Sequence, residues 1–152
     1  MRELPRVYAL RLARAKAATV SAPDSFVLAA DTVAAAGRRI LPKAETVQDA
    51  RRCLQLVSGR RHRVTTAIVL LAPDGGRTER LVTTIVSFMR LKPQQIDGYL
   101  ETEQWRGKAG GYAIQGHAAA FVRFLSGSYS NVVGLPLFET AQLLRGAGLF
   151  QA

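Results

Sequence analysis

The sequence predicts an α/β fold on three observations: the order of its segments, a long hairpin at its centre, and a size that suits one core. The chain has 152 residues, 48% of them hydrophobic, which is the make-up of a single globular domain spanning 1–152. Its segments read helix, strand, helix, hairpin, helix, strand, helix, an order that layers helices on a sheet.

Residues 6–20 place Val7, Leu10 and Ala17 among Arg6, Arg11, Arg14 and Lys16, the pattern of an amphipathic helix with a basic face. "SFVLAADTVAAAG" follows as an apolar run suited to a buried strand, which stops at Asp31 and resumes before Gly37. Residues 46–57 carry Val47, Ala50, Leu54 and Val57 at helical spacing behind Thr46 and Asp49, a capping pair, with Gly59 as the stop. From Arg63 to Ala72 and from Thr78 to Leu91 the chain is rich in Val, Ile, Thr and Leu, and "PDGG" supplies the turn of a hairpin. Pro93 suits a helix first turn, with Ile96, Tyr99 and Leu100 on one side. "AAAFVRFL" at 118–125 reads as a strand, "SGSYSN" at 126–131 as a polar loop, and Pro136 opens a last helix through Ala141 and Leu144.

Composition narrows the function classes. Lys and Arg number 21 against 11 Asp and Glu, a net charge of +10 that favours anions: nucleotides, nucleic acid or an acidic membrane surface. Cys53 is the one cysteine, which excludes an internal disulfide framework, and His62 and His117 do not complete a zinc-ligand spacing. These features suit a reducing cytoplasm. No run is long enough to span a membrane, and the charged N-terminal segment lacks the apolar centre of a signal peptide.

Several residues could carry chemistry. Asp31 at the end of an apolar run is costly to desolvate unless it meets a cation, a metal or backbone donors; from "ADT" alone a helix or turn cap is the stronger reading. Lys43 follows a stiffening Pro42 and could aim an ammonium at an anion, though taken singly it reads as a surface lysine. In "WRGKAGGYAIQG" at 105–116, glycines at 107, 110, 111 and 116 could let backbone approach a ligand. There Lys108 suits a phosphate and Gln115 offers both donor and acceptor to a nucleobase edge, or the segment is a turn with a solvated lysine. It is not a P-loop, since GxxxxGK[ST] is missing, and no GxGxxG occurs. "SGRRHR" at 58–63 is either a solvated loop or a phosphate contact, with His62 better read as a hydrogen-bonded structural residue. Tyr129, Ser130 and Asn131 could bond a ligand or fill an ordinary turn.

The order of these segments is more informative than any one of them. "RLARAKA", "AADTV", "ILPKAE", "LVSGRRHRVTTAIV", "GKAGGYAIQG" and "GSYSNVVGLPLFET" together resemble the Maf family of nucleoside triphosphate pyrophosphatases, the septum-formation proteins, from about Tyr8 to Gly148. The resemblance implies a mixed, twisted sheet flanked by helices, with a cleft between two lobes, akin to the inosine-triphosphate pyrophosphatases. It implies hydrolysis of a nucleoside triphosphate at the α–β anhydride with a divalent ion, Mg²⁺ or Mn²⁺. The family aspartate falls on Asp31, as general base toward water or as metal holder. The family lysines fall on Lys16, Lys43 and Lys108, which would offset charge on the leaving pyrophosphate. Specificity positions fall on Thr32 and Gln115, and glutamine there resembles members that prefer dTTP and UTP.

This chain departs from the family pattern in places. Pro42-Lys43-Ala44 stands for G-K-P, and Gly107-Lys108-Ala109-Gly110 for D-K-A-G; both keep the lysine. The family's opening strand and S-x-S-P-R-R loop find no counterpart, so an N-terminal strand is expected to be missing, with an exposed sheet edge, a tendency to homodimerise and reduced turnover. Two rival readings stand beside the enzyme: a non-catalytic relative that binds nucleotide or a partner, and a nucleic-acid-binding module resting on the basic residues at 2, 6, 11, 14, 60, 61 and 63. Aromatics at 7% without a stacking pattern argue against the second.

Overall fold

The computed structural model describes residues 3–20 and 22–151. Five helices, α1 Pro5–Thr19, α2 Val47–Val57, α3 Pro93–Glu101, α4 Tyr129–Val133 and α5 Leu137–Gly146, flank five strands, β1 Val27–Ala36, β2 Arg39–Leu41, β3 Arg61–Leu71, β4 Arg77–Phe88 and β5 Val122–Ser126. The strands form one sheet in the order β2-β1-β3-β4-β5. The α/β layering is as expected, and in direction the sheet is antiparallel at every described pairing. The reason lies partly in tight connections: Gly37 at φ +60° turns β1 into β2, and Gly75 at φ +91° with Asp74 closes the β3–β4 hairpin.

β3 lies at the centre, and both its faces are buried, which is why it reads as a nearly continuous apolar run. On one face Ala67 and Val69, with Val33 of β1, meet Ala9, Ala13 and Ala17 of α1. That alanine row, four residues apart, is the buried stripe of α1; Val7, expected on it, is 53% exposed. Alanine wins because a side chain this small lets the helix axis approach the sheet closely. On the other face Val64, Val86 and Phe88 meet α2, α3 and the aromatic residues Tyr99, Trp105 and Tyr112. Leu143 of α5 covers Ile68 and Leu70 farther along.

The capping pair of α2 is present in full: Thr46 Oγ1 accepts from the Asp49 amide at 3.1 Å, and Asp49 Oδ2 accepts from the Thr46 amide at 3.3 Å. Two expectations change, and one short strand is new. The strand expected over 118–125 begins only at Val122, because His117–Phe121, with three alanines and no β-branched residue, coils into a 3-10 helix. The polar loop expected at 126–131 gives way at Tyr129 to α4, capped by Ser128, whose hydroxyl accepts from the Asn131 amide at 3.1 Å. The β2 strand, three residues long, is too short to leave a periodic signal.

Candidate active site

β1 does not stop at Asp31; it carries Asp31 through its middle and pairs it with Ala67. Alternation along the strand sends Asp31 to the α1 face and Thr32 to the other. The Asp31 side chain is 2% exposed and is held by lysines rather than serving as a cap: Lys16 Nζ donates to its Oδ1 at 2.6 Å, and Lys43 Nζ lies 3.9 Å from the same oxygen. Both lysines keep about half their side-chain surface exposed. The second oxygen, Oδ2, is buried with no hydrogen-bond partner among the described residues. A buried carboxylate left this way would be costly without its two cations, and its bare oxygen keeps unused acceptor capacity.

Lys16 reaches Asp31 from the last turn of α1, and also donates to the Ala30 carbonyl at 3.4 Å. Lys43 leaves the end of β2 and is bridged to Ala109, where Gly107 N–H donates to the Ala44 carbonyl at 2.8 Å and Ala44 N–H to the Lys108 carbonyl at 3.2 Å. The "ILPKAE" and "GKAGG" segments are therefore stitched together by backbone, which puts Lys43 and Lys108 at one rim. Thr32 Oγ1 is hydrogen-bonded to Thr66 Oγ1 at 2.8 Å and donates to the Gly134 carbonyl at 3.3 Å. Lys16, Asp31, Thr32, Lys43, Lys108 and Gln115 all line one cleft of about 240 Å³. Gln115 is exposed there, its amide free to bond a ligand.

Residues 1–147 of the chain match the family model described as Maf-like protein. The chain belongs to the Maf family. It is similar to proteins named dTTP/UTP pyrophosphatase: 63% identical over 141 residues to that of Granulibacter bethesdensis, covering 92% of this chain and 65% of the relative. Similarity to the Rhodospirillum rubrum protein is 61% over 148 residues, covering 96% of this chain and 70% of the relative, and to the Caulobacter vibrioides protein 59%, covering 96% and 77%. The chain thus spans about two thirds to three quarters of the length of these curated relatives.

Against this Maf background several residues find other roles than the sequence suggested. Gly110 and Gly111, at φ +70° and +78°, press their backbone onto Ala34 and the Ala50 backbone, where an added Cβ would sit within 3.2–3.3 Å. Their bareness serves the packing of the loop on the core, not an approach to ligand. Asn131 is fully buried, its amide donating to the Val64 and Val82 carbonyls and to Thr84 Oγ1, so it fastens α4 to the sheet. Tyr129 and Ser130 do not line the cleft; Ser130 Oγ accepts from the Leu137 amide. Of the basic residues, Arg11 and Arg14 are paired with Glu3 and Glu79, and Arg61 stacks on Phe124; Arg2 lies outside the described residues. His62 is structural as expected, 2% exposed, with Nε2 hydrogen-bonded to the Tyr112 hydroxyl at 2.6 Å. Tyr112 itself lines the cleft, a contact no local pattern in "GGYAI" signals.

Proposed function

We propose that the chain hydrolyses the α–β phosphoanhydride of a nucleoside triphosphate, dTTP or UTP, to a nucleoside monophosphate and pyrophosphate. The observation that carries this reading is Asp31: one oxygen held by Lys16 and near Lys43, the other buried and bare, on the floor of a cleft rimmed by Lys108 and Gln115. Water attacks the α-phosphorus, its oxygen bonds to phosphorus, the bond from phosphorus to the bridging oxygen breaks, and pyrophosphate departs. Asp31 Oδ2 receives the proton of that water. Lys16, Lys43 and Lys108 face the phosphates and offset the charge that builds on the leaving group. Thr32 and Gln115 line the same cleft and would meet the base, the amide of Gln115 offering the donor and acceptor that a uracil or thymine edge requires.

A divalent ion, Mg²⁺ or Mn²⁺, fits the residues present on limited terms. Among the described residues no cluster of three His, Cys, Asp or Glu side chains is placed to hold a metal. Where Asp31 holds an ion instead of taking the proton, its Oδ2 would supply one ligand and substrate phosphates and water the others. Such an ion would polarise the phosphoryl oxygens when bound. The same reading has buried Cys53 remaining a thiol in a reducing cytoplasm. No helix among the described residues is long and apolar enough to cross a membrane. It also includes a homodimer through the exposed apolar residues Leu137 and Phe138, which light scattering would test.

The test of catalysis is pyrophosphate release from dTTP, UTP, CTP, GTP and ATP with Mg²⁺, beside Asp31→Asn. Release from dTTP and UTP that falls about 10³-fold in the variant, with nucleotide still bound, is expected. Equal release by both proteins would sink the reading. Binding without any release would instead favour the non-catalytic relative.

A further inference from the structure

We propose that His62 is a positioning residue for Lys108 and Gln115, acting through the Tyr112 hydroxyl. The inference rests on the nucleotide-hydrolase reading above and deepens it, by naming what holds the phosphate and base contacts in place.

The geometry starts from the loop. Lys108 and Gln115 both lie on an exposed rim, and among the described residues neither side chain has a hydrogen-bond or ion-pair partner. Around them three turn hydrogen bonds hold the backbone locally, Lys108 N–H to the Trp105 carbonyl, Gly111 N–H to the Lys108 carbonyl and Gly116 N–H to the Ala113 carbonyl, while the bonds to Ala44 tie only the Lys108 end to a neighbouring segment. Glycines at 107, 110 and 111 all take positive φ, so the segment has little intrinsic stiffness of its own. Two of its side chains, Tyr112 and Ile114, drive into the core, and Tyr112 is the one that carries a polar group there. It is 5% exposed and packs edge-on against Phe88, with ring centroids 4.9 Å apart, and against His62, at 5.4 Å.

Ring packing, the seating of Gly110 and Gly111 on the core and the Ala113 N–H bond to the Tyr99 hydroxyl at 3.3 Å place the ring without fixing its hydroxyl end. The hydroxyl adds a directional tie, because Nε2 of His62 meets it at 2.6 Å where both side chains are buried. His62 is itself fixed by β3, where it pairs with Val86, and by edge contact with Phe88 at 5.3 Å. A central strand thus sets the position of a loop that lies 50 residues away in sequence. Burial pushes the His62 pKa down from 6.5 to about 4, so the ring is neutral and the bond persists throughout the neutral range. Nothing else about His62 calls for a histidine: it does not line the cleft, and its Nδ1 has no partner among the described residues.

The experiment compares Tyr112→Phe, His62→Phe and His62→Gln with the parent chain in two readouts. Tyr112→Phe removes one oxygen and keeps the ring, so folding is least at risk; His62→Gln restores a polar nitrogen near the position of Nε2. Amide hydrogen exchange without nucleotide is expected to speed up about tenfold at Gly111 and Gly116 in both phenylalanine variants, the scale of one lost hydrogen bond, and to return toward the parent in His62→Gln. Amides of the central strand pair report global stability and separate a local loosening from general unfolding. The preference for dTTP over ATP in kcat/KM is expected to fall about tenfold in the same two variants, while a merely structural histidine would lower Tm and leave that ratio alone. Parent-like exchange at Gly111 and Gly116 in Tyr112→Phe would overturn the proposal whether or not the chain hydrolyses anything. Faster exchange in the two phenylalanine variants, with a parent chain that releases no pyrophosphate, would break the catalytic reading and leave the His62–Tyr112 anchor intact.

Discussion

Under α1 the sheet packs against alanines, whereas under α2 and α3 it packs against aromatic rings. Ala9, Ala13 and Ala17 bring a helix backbone so near β1 that Lys16, on the next step of the same helix, reaches a carboxylate in the middle of the strand. Phe88, Tyr99, Trp105 and Tyr112 fill the opposite face with volume, and from that volume the glycine segment hangs with Lys108 and Gln115 at its rim. One face works by close approach and has no room for more atoms. The other works by interlocking shapes and cannot lose them.

That contrast breaks most visibly at Phe88. Phe88→Ala opens a cavity in the aromatic face and is expected to cost about 3–5 kcal/mol in urea unfolding, with weaker nucleotide binding because Tyr112 loses its wall. An unchanged midpoint would show the aromatic face to be tolerant after all. Acid should find the same face next. The folded pKa of His62 lies near 4, below its ordinary 6.5, so between those values the unfolded chain binds a proton that the folded one does not. Stability is therefore whole above pH 6.5 and is lost as pH falls toward 4, by about 3 kcal/mol in all. Glu79, held below its ordinary 4.5 by the Arg14 guanidinium, contributes only at lower pH, so the window above 4.5 reports His62. Denaturant midpoints from pH 7 to 4.5, beside His62→Phe, check this; an equal slope in the variant would assign the loss elsewhere.

On the alanine face the expected injury is the reverse. Ala13→Leu adds atoms where none fit, costs about 1–3 kcal/mol, and moves Lys16 away from Asp31, so kcat/KM falls together with stability. A stable Ala13→Leu with full activity would show that α1 can shift without consequence. Smallest in stability is Gln115→Ala, at an exposed position: the unfolding midpoint should stay put while the preference for dTTP over ATP falls about tenfold. A preference that survives would move base reading to another residue.

Reading the sequence located the capping pair Thr46 and Asp49, the Gly59 stop, the central hairpin and the Pro93 helix, because each is written by residues a few positions apart. On α1 it placed Ala17 rightly and Leu10 beside the buried cluster, but put Val7 on a stripe that Ala9 and Ala13 occupy, since valine is more apolar than the alanines that closer packing selects. It took Asp31 for the end of a strand, since an acid within an apolar run looks like an interruption until its cations are found. The six site residues were named in order along the chain, yet their convergence on one cleft could not be seen from spacing.

By itself the sequence determined the elements, the caps and turns, and the types of group available: one isolated carboxylate, three lysines and an amide. Those follow from backbone preference and neighbouring side chains, whose interactions act over a turn or less. Only the tertiary structure decided that Lys16 and Lys43 share one oxygen of Asp31 and leave the other bare, that Gly110 and Gly111 face the core, and that His62 meets Tyr112. Charge and hydrogen bonding act over a few ångströms in space, and distances that short between residues so far apart in sequence exist only once the sheet has brought them together.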